Sequence, residues 1–282
     1  METKFKSLSV FAFQTKFPSE QSCYKYLSEL KWSAGYQCPK CDNLKYCKGI
    51  NEFDRQCTKC SHLESPTAGT LFHKMKFSIL KAFWIIYFIS TNKKGIASTE
   101  LSRKLQLRQK TCWLFKQKAM QAMESSDRHP LEGNVEICKF TIGSKKRIGK
   151  NKAKETSRLI VIGIEKKAKG VSRIYAREIP RISNSAIKNF EEDKISNDCF
   201  SIRMKTNNNG KFDLVTRVVD GLKSWLKGIH HHVSLLQNYL NEYCYRYNRH
   251  LMKEEIFDDL LVRMVKHEPR TYSDIVNYVP NS

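Results

Sequence analysis

Apolar residues recur with a helical period near both ends of the chain and fall into strand-like runs between them. At the N-terminus, FPSEQSCYKYLSELKW puts Cys23, Tyr26, Leu27 and Leu30 on one stripe, with Ser19 or Ser22 as an N-cap, and residues 1–33 read as helical. Residues 36–72 lose the period and are turn-rich and cysteine-bearing. Helical spacing returns over 77–124, where three helices are expected, the first around Ile79–Ile89, ILKAFWIIYFI. That window is well short of the ~20 residues a bilayer span needs, so it reads as a buried helix. After Gly133 the pattern turns to strands, NVEICKFTIG, SRLIVIGIE and SRIYAREI, separated by basic turns. A helix over Asn184–Lys194, a strand CFSIRM at 199–204, a polar loop Thr206–Gly210 and helices over Leu214–Trp225 and Val233–Tyr247 follow. Three strands, a helix, a strand and two helices predict one mixed α/β domain behind a helical, cysteine-bearing front. The chain carries no internal repeat and no low-complexity segment.

Charge changes this picture more than composition does. With 282 residues, 40% of them apolar, the chain is long enough for two or three globular domains. Its formal charge of +22 works against compactness through self-repulsion and calls for a polyanionic partner. Nucleic acid is the first choice, because basic side chains release counterions condensed on phosphates, and an anionic membrane is the rival. The opening METKFKSLSVFAF holds no long apolar run and reads as no signal peptide, which places the ten cysteines in a reducing compartment. There, metal binding or plain burial is expected rather than disulfides.

Four of the cysteines have metal-site spacing. Cys38 and Cys41, then Cys57 and Cys60, form C-x2-C-x15-C-x2-C. Two such knuckles present four thiolates to one tetrahedral Zn²⁺ at about 2.3 Å, and the ion then folds a segment too small for a core of its own. The alternative is four buried or free thiols. With four protein ligands no position is left for water, so the zinc is expected to be structural. Cys47, between the pairs, reads as a spectator.

Ile96–Leu105 reads as a short amphipathic helix with Ser98 or Thr99 near its start. Leu107 fills a turn, and Arg108–Met123 forms a second helix. Cys112, Phe115 and Ala119 face inward by spacing, which leaves Arg108, Lys110, Lys116 and Lys118 for solvent or phosphate. Two short helices with a tight turn, the second one basic, suit insertion into a major groove. The competing reading is a helical packing unit whose lysines are merely solvated. Further on, Lys145, Lys146, Arg147, Lys150, Lys152 and Lys154 put six cations in ten residues without an acid. This run reads as a phosphate-binding arm inserted at a β-turn, or else as a solvated loop.

Taken in order, GYQCPKC, ESPTAGTLFHKMKF, STNKKGIASTELSRKL, KTCWLFKQKAMQAM, EGNVEI, LKSWLKGIHHHVS and LNEYCYRYNRH resemble the ISXO-type insertion-sequence transposases, bacterial relatives of Merlin elements. The resemblance covers nearly the whole chain. It implies an α+β protein with a zinc ribbon, a helix-turn-helix region and an RNase H-like α/β domain that uses acidic residues and two Mg²⁺ ions to cut and transfer DNA. It divides the chain into an N-terminal helical segment 1–35, the ribbon 36–72, the helix-turn-helix region 73–127, the RNase H-like domain 131–250, shortened after residue 205, and a helical tail 251–282. The implied partner is double-stranded DNA at transposon ends, with a homodimer or an assembly with an intact transposase as further partners. No membrane partner is expected. The implied location is the bacterial cytoplasm, at the nucleoid.

Mapped residue by residue, the family's catalytic acids are missing. Cys138 stands where the first strand carries its Asp, and Lys139 replaces the following Glu. Lys205 ends the strand that should carry the second Asp, and Thr216 lies seven residues before the helix lysine Lys223. Two-metal chemistry needs hard oxygen ligands around ions about 3.5–4 Å apart. A thiol does not select Mg²⁺, and a nearby ammonium repels it by several kcal/mol, to order of magnitude. Glu136, Asp198, Asp213 and Asp220 are acids that would have to substitute, and alternation puts Glu136 on the strand face of Cys138. Cys138 reads first as a small buried hydrophobe. A thiol nucleophile paired with His230, His231 or His232 is the sharper alternative, although no spacing fixes a base; the histidines read as structural or DNA-proximal. Three functions compete: a degenerate transposase that keeps DNA binding, an active one with displaced acids such as Glu136, and a non-enzymatic DNA-binding regulator.

Overall fold

The computed structural model describes residues 8–92, 94–124, 129–143, 145–148, 152–155, 157–168, 170–180, 184–197, 199, 201–205, 214–229, 233, 235–249 and 256–277; for 145–148, 152–155, 201–205 and 229 it describes the backbone. It is a mixed helix and sheet structure in two compact units, one of Lys4–Ala122 with Glu254–Ile275 and one built on Met123–Lys253.

In the first unit, helix α1 (Val10–Lys16) is capped by the Ser9 hydroxyl, which accepts from the Ala12 N–H at 3.1 Å. The N-terminal region is two helices rather than one. Pro18 disfavours a helical residue before it, and Ser19 starts α2 (Glu20–Lys31) with a capping box to Ser22. Helix α2 buries Cys23 and Leu27. Strands β1 (Tyr46–Lys48), β2 (Arg55–Cys57) and β3 (Leu63–Glu64) form an antiparallel sheet. Helix α3 (Ile79–Thr91) buries eight of its residues, which accounts for its continuous apolar run. Among the described residues, no helix is long and apolar enough to cross a membrane. Helices α4 (Ser98–Leu105) and α5 (Gln109–Ala122) are joined through Gln106, whose φ of 52° lets the chain turn sharply.

The second unit is built on four strands with helices against them. β4 (Asn134–Ile142) leads through a separate two-stranded ribbon, β5 (Lys145–Ile148) and β6 (Lys152–Glu155), into β7 (Arg158–Lys167) and β8 (Gly170–Ile179). Then come α6 (Asn184–Lys194), β9 (Ser201–Lys205), α7 (Leu214–Ile229) and α8 (Leu236–Arg249). The sheet order is β8-β7-β4-β9, with β9 alone parallel to its neighbour. Successive residues Val135, Glu136, Ile137 and Cys138 are all buried, as expected of a central strand covered on both faces. Helix α7 packs on β4, and α8 packs on β8. Gly163 on β7 is required by packing: a Cβ there would lie 2.8 Å from Leu131 Cδ1 and 3.1 Å from Phe190 Cε1. The edge strand β8 finds side-chain partners on α8. Asn248 accepts from the Ile174 N–H at 2.8 Å and donates to the Ile174 carbonyl at 2.9 Å, and Gln237 accepts from the Glu178 N–H at 2.8 Å. These amides satisfy edge groups that would otherwise invite another strand.

The segment read as a C-terminal tail belongs to the first unit. Helix α9 (Ile256–Lys266) buries Ile256, Phe257, Leu260, Leu261, Met264 and Val265, and the Leu71 N–H donates to the Met264 carbonyl at 3.1 Å. Burial of that apolar stripe makes it part of the core. The short helix α10 (Tyr272–Val276) follows it.

Candidate functional site

The four cysteines of the two C-x2-C pairs come together. Their sulfurs lie within 4.8 Å of one another, with Cys38 Sγ 3.5 Å from Cys60 Sγ and Cys41 Sγ 3.6 Å from Cys57 Sγ. Two matching turns bring this about. The Asp42 N–H donates to the Cys38 carbonyl and the Ser61 N–H to the Cys57 carbonyl, both at 3.0 Å. Asp42 and Ser61 share a φ of 56°, and the chain then closes each turn with Cys38 N–H to the Asn43 carbonyl and Cys57 N–H to the His62 carbonyl. The donor set fits a structural zinc ion: four thiols at the mutual distances a tetrahedral ion needs, with N–H groups aimed at sulfur. Asn43 Nδ2 and the Lys59 N–H each stand 3.4 Å from Cys57 Sγ. Burial raises the Cys57 thiol, but hydrogen bonds from the Cys60 backbone, the Asn43 side chain and the Lys59 backbone outweigh it and bring the thiol down to about 6. Cys47 stays out of the cluster, exposed on β1 with its Sγ toward the Gln56 carbonyl.

A small aromatic core holds this ribbon to α2. Trp32 and Tyr36 are buried with Cys38 and Cys57. The Arg55 guanidinium lies 4.2 Å from the Trp32 ring centroid and 4.0 Å from that of Tyr46, a cation–π clamp that no motif announced. Lys31 pairs with Glu64 at 2.7 Å and donates to the Ala68 carbonyl at 2.6 Å, tying the same helix to the chain beyond the sheet.

The cations expected on the second helix of the turn divide. Arg108 and Lys110 lie exposed at the start of α5, and Arg103 and Lys104 are exposed in the last turn of α4. Lys116 does not face solvent. It is only 2% exposed, and its Nζ donates to the Ile96 carbonyl at 2.7 Å. Lys118 is partly buried as well, with its pKa lowered by burial against the opposing charge of Asp274. Lys116 and Lys118 are enclosed because α5 is buried on more than one side: Gln117, Met120 and Gln121 are buried as well. A helix packed on several faces presents its end, not its flank.

In the second unit, the register sets Cys138 of β4 opposite Lys205 of β9, so these two positions do meet across adjacent parallel strands. Cys138 is 2% exposed. Glu136 is buried two positions earlier on β4 and forms an ion pair with Lys166 at 2.8 Å. Thr216 lies on an exposed position of α7, and Lys223, half-buried two turns later, sets its Nζ 5.4 Å from the Phe140 ring centroid. Asp220 is exposed on α7. Lys145, Lys146 and Arg147 lie on β5, paired with β6, and their side chains lie outside the described structure. Lys150, Asp198, Asp213 and His230–His232 lie outside the described residues. Among the described residues, the one group of three or more Cys, His, Asp or Glu able to hold a metal is the four-cysteine cluster.

No curated protein and no solved structure matches the chain. Residues 18–63, from the start of α2 to β3, match the family model described as a transposase zinc-ribbon domain, a match that supports a transposase family.

Proposed function

We propose that this protein is an insertion-sequence transposase of the ISXO type that binds transposon-end duplex DNA and no longer cuts it. The observation that carries the reading is the close cluster of Cys38, Cys41, Cys57 and Cys60 inside a stretch matching a transposase zinc ribbon. The ribbon orders its surroundings, and α4 and α5 act as a helix-turn-helix. The exposed end of α5, with Arg108 and Lys110, enters the major groove, where such helices use their N-terminal residues. Lys116 serves this arrangement from inside, because its bond to the Ile96 carbonyl ties α5 to the residue just ahead of α4. The charge of +22 supplies the sequence-independent attraction. The basic β5–β6 ribbon is a second phosphate contact.

Support for an RNase H-like second unit comes from its strand order β8-β7-β4-β9, three antiparallel strands and a parallel fourth beside the first. In that reading the catalytic positions fall at Cys138, Lys205 and Thr216. The residues present do not fit a Mg²⁺ pair. A thiol is too soft, the residue paired with it on β9 is a lysine and so supplies no oxygen ligand, and the nearby carboxylate of Glu136 is already held by Lys166.

The reading is checked by gel shift and nicking assays on DNA from the two ends of the element that encodes the chain. Binding that weakens steeply with salt is expected, with intact strands after incubation in Mg²⁺ or Mn²⁺. Metal-dependent nicks made by clean protein, and lost in Glu136→Ala, would instead establish a displaced-acid enzyme.

A further inference from the structure

Arg108, just ahead of helix α5, and its first two residues, Gln109 and Lys110, are exposed. A residue far along the chain joins them. Lys110 Nζ lies 5.0 Å from the centroid of the Tyr272 ring, and Trp113, one turn further along α5, lies 6.4 Å from the same ring. Tyr272 nevertheless remains 47% exposed. Local bonds hold it there. The Thr271 N–H donates to Asp274 Oδ2 at 2.6 Å, and the Asp274 N–H donates to Thr271 Oγ1 at 3.3 Å. Fully buried Ile275, one turn further along α10, anchors the helix. The Asp274 carboxylate is engaged in this cap, with Arg270 and Lys118 as charged neighbours, and Glu100 pairs with Lys104 at 3.6 Å.

An ammonium resting on an aromatic face keeps N–H donors for an anion. A tyrosine hydroxyl beside it adds a neutral donor, and both are groups that contact DNA phosphates. We propose that Tyr272 and Lys110 together grip the DNA backbone alongside the start of α5, so that the start of α10 forms a second edge of the interface. This rests on the reading that the α4–α5 region binds duplex DNA.

The test uses full-length, zinc-loaded protein and a fluorescein-labelled mixed-sequence duplex, with anisotropy titrations over a range of salt. Tyr272→Phe keeps the ring under Lys110 and the melting temperature. It is expected to bind about tenfold more weakly at every salt concentration, with an unchanged salt slope, since it removes a hydrogen bond but no charge. Lys110→Ala is expected to flatten the slope by about one. Wild-type affinity in Tyr272→Phe, with Arg108→Ala still impaired, overturns this inference and leaves the DNA-binding reading intact. A wild-type protein without salt-sensitive binding overturns both.

Discussion

The ammonium of Lys116 donates to the Ile96 carbonyl from a side chain only 2% exposed. Taking a charge out of water costs several kcal/mol unless it is bonded where it ends up, so the bond and the packing stand or fall together. Lys116→Ala is expected to lower stability by roughly 2–4 kcal/mol in urea titrations, through the lost bond and the space left behind. The salt slope of DNA binding should stay as it was; a flatter slope would return Lys116 to the interface. Arg108→Ala should do the reverse, with stability within about 0.5 kcal/mol of wild type and a slope lower by about one. At Asp274, the Thr271 N–H and hydroxyl hold the carboxyl below its ordinary 3.8. A depressed carboxyl contributes stability above its unfolded value and loses it as pH falls through the folded one. The NMR signals of α10 should therefore hold steady from neutral pH down to the unfolded value of 3.8 and report fraying only below it.

At the scale of elements, the ribbon and the helices that follow it depend on different forces. The β1–β3 sheet has strands of three, three and two residues, too short to hold by themselves, and the four-cysteine cluster fits a zinc ion that would close the knuckles. Cys57→Ser, or chelation, should unfold this element, with loss of its amide protection in hydrogen exchange. Retention of that protection after demonstrable zinc removal would show that Trp32, Tyr36 and Arg55 suffice. Among the described residues, the β5–β6 ribbon pairs with itself and not with the four-stranded sheet. Replacing 144–156 by a short turn is accordingly expected to leave the melting temperature of the unit nearly unchanged and to weaken DNA binding. A collapse of the fold would assign the ribbon a structural role.

At the scale of the whole molecule, the chain leaves its first unit at Ala122 and returns to it at Glu254. Chelation is thus expected to act on the unit that contains both the ribbon and α9, while the strand signature of the other unit persists in circular dichroism. Much of this was legible along the chain. The C-x2-C pairs, the apolar run of α3, the strands β4, β7 and β8 and the helix α6 are written in spacings of two to four residues, because thiolate knuckles, helix turns and pleats are local geometry. Pro18 marks the break between α1 and α2 in the same local way. Only the tertiary structure decided that Lys116 turns inward, that α9 joins the N-terminal core, that Glu136 meets Lys166 and that Tyr272 stands beside Lys110. Each of these depends on which distant segment covers a given face, and a local period shows that a face is apolar or charged without showing what will lie against it.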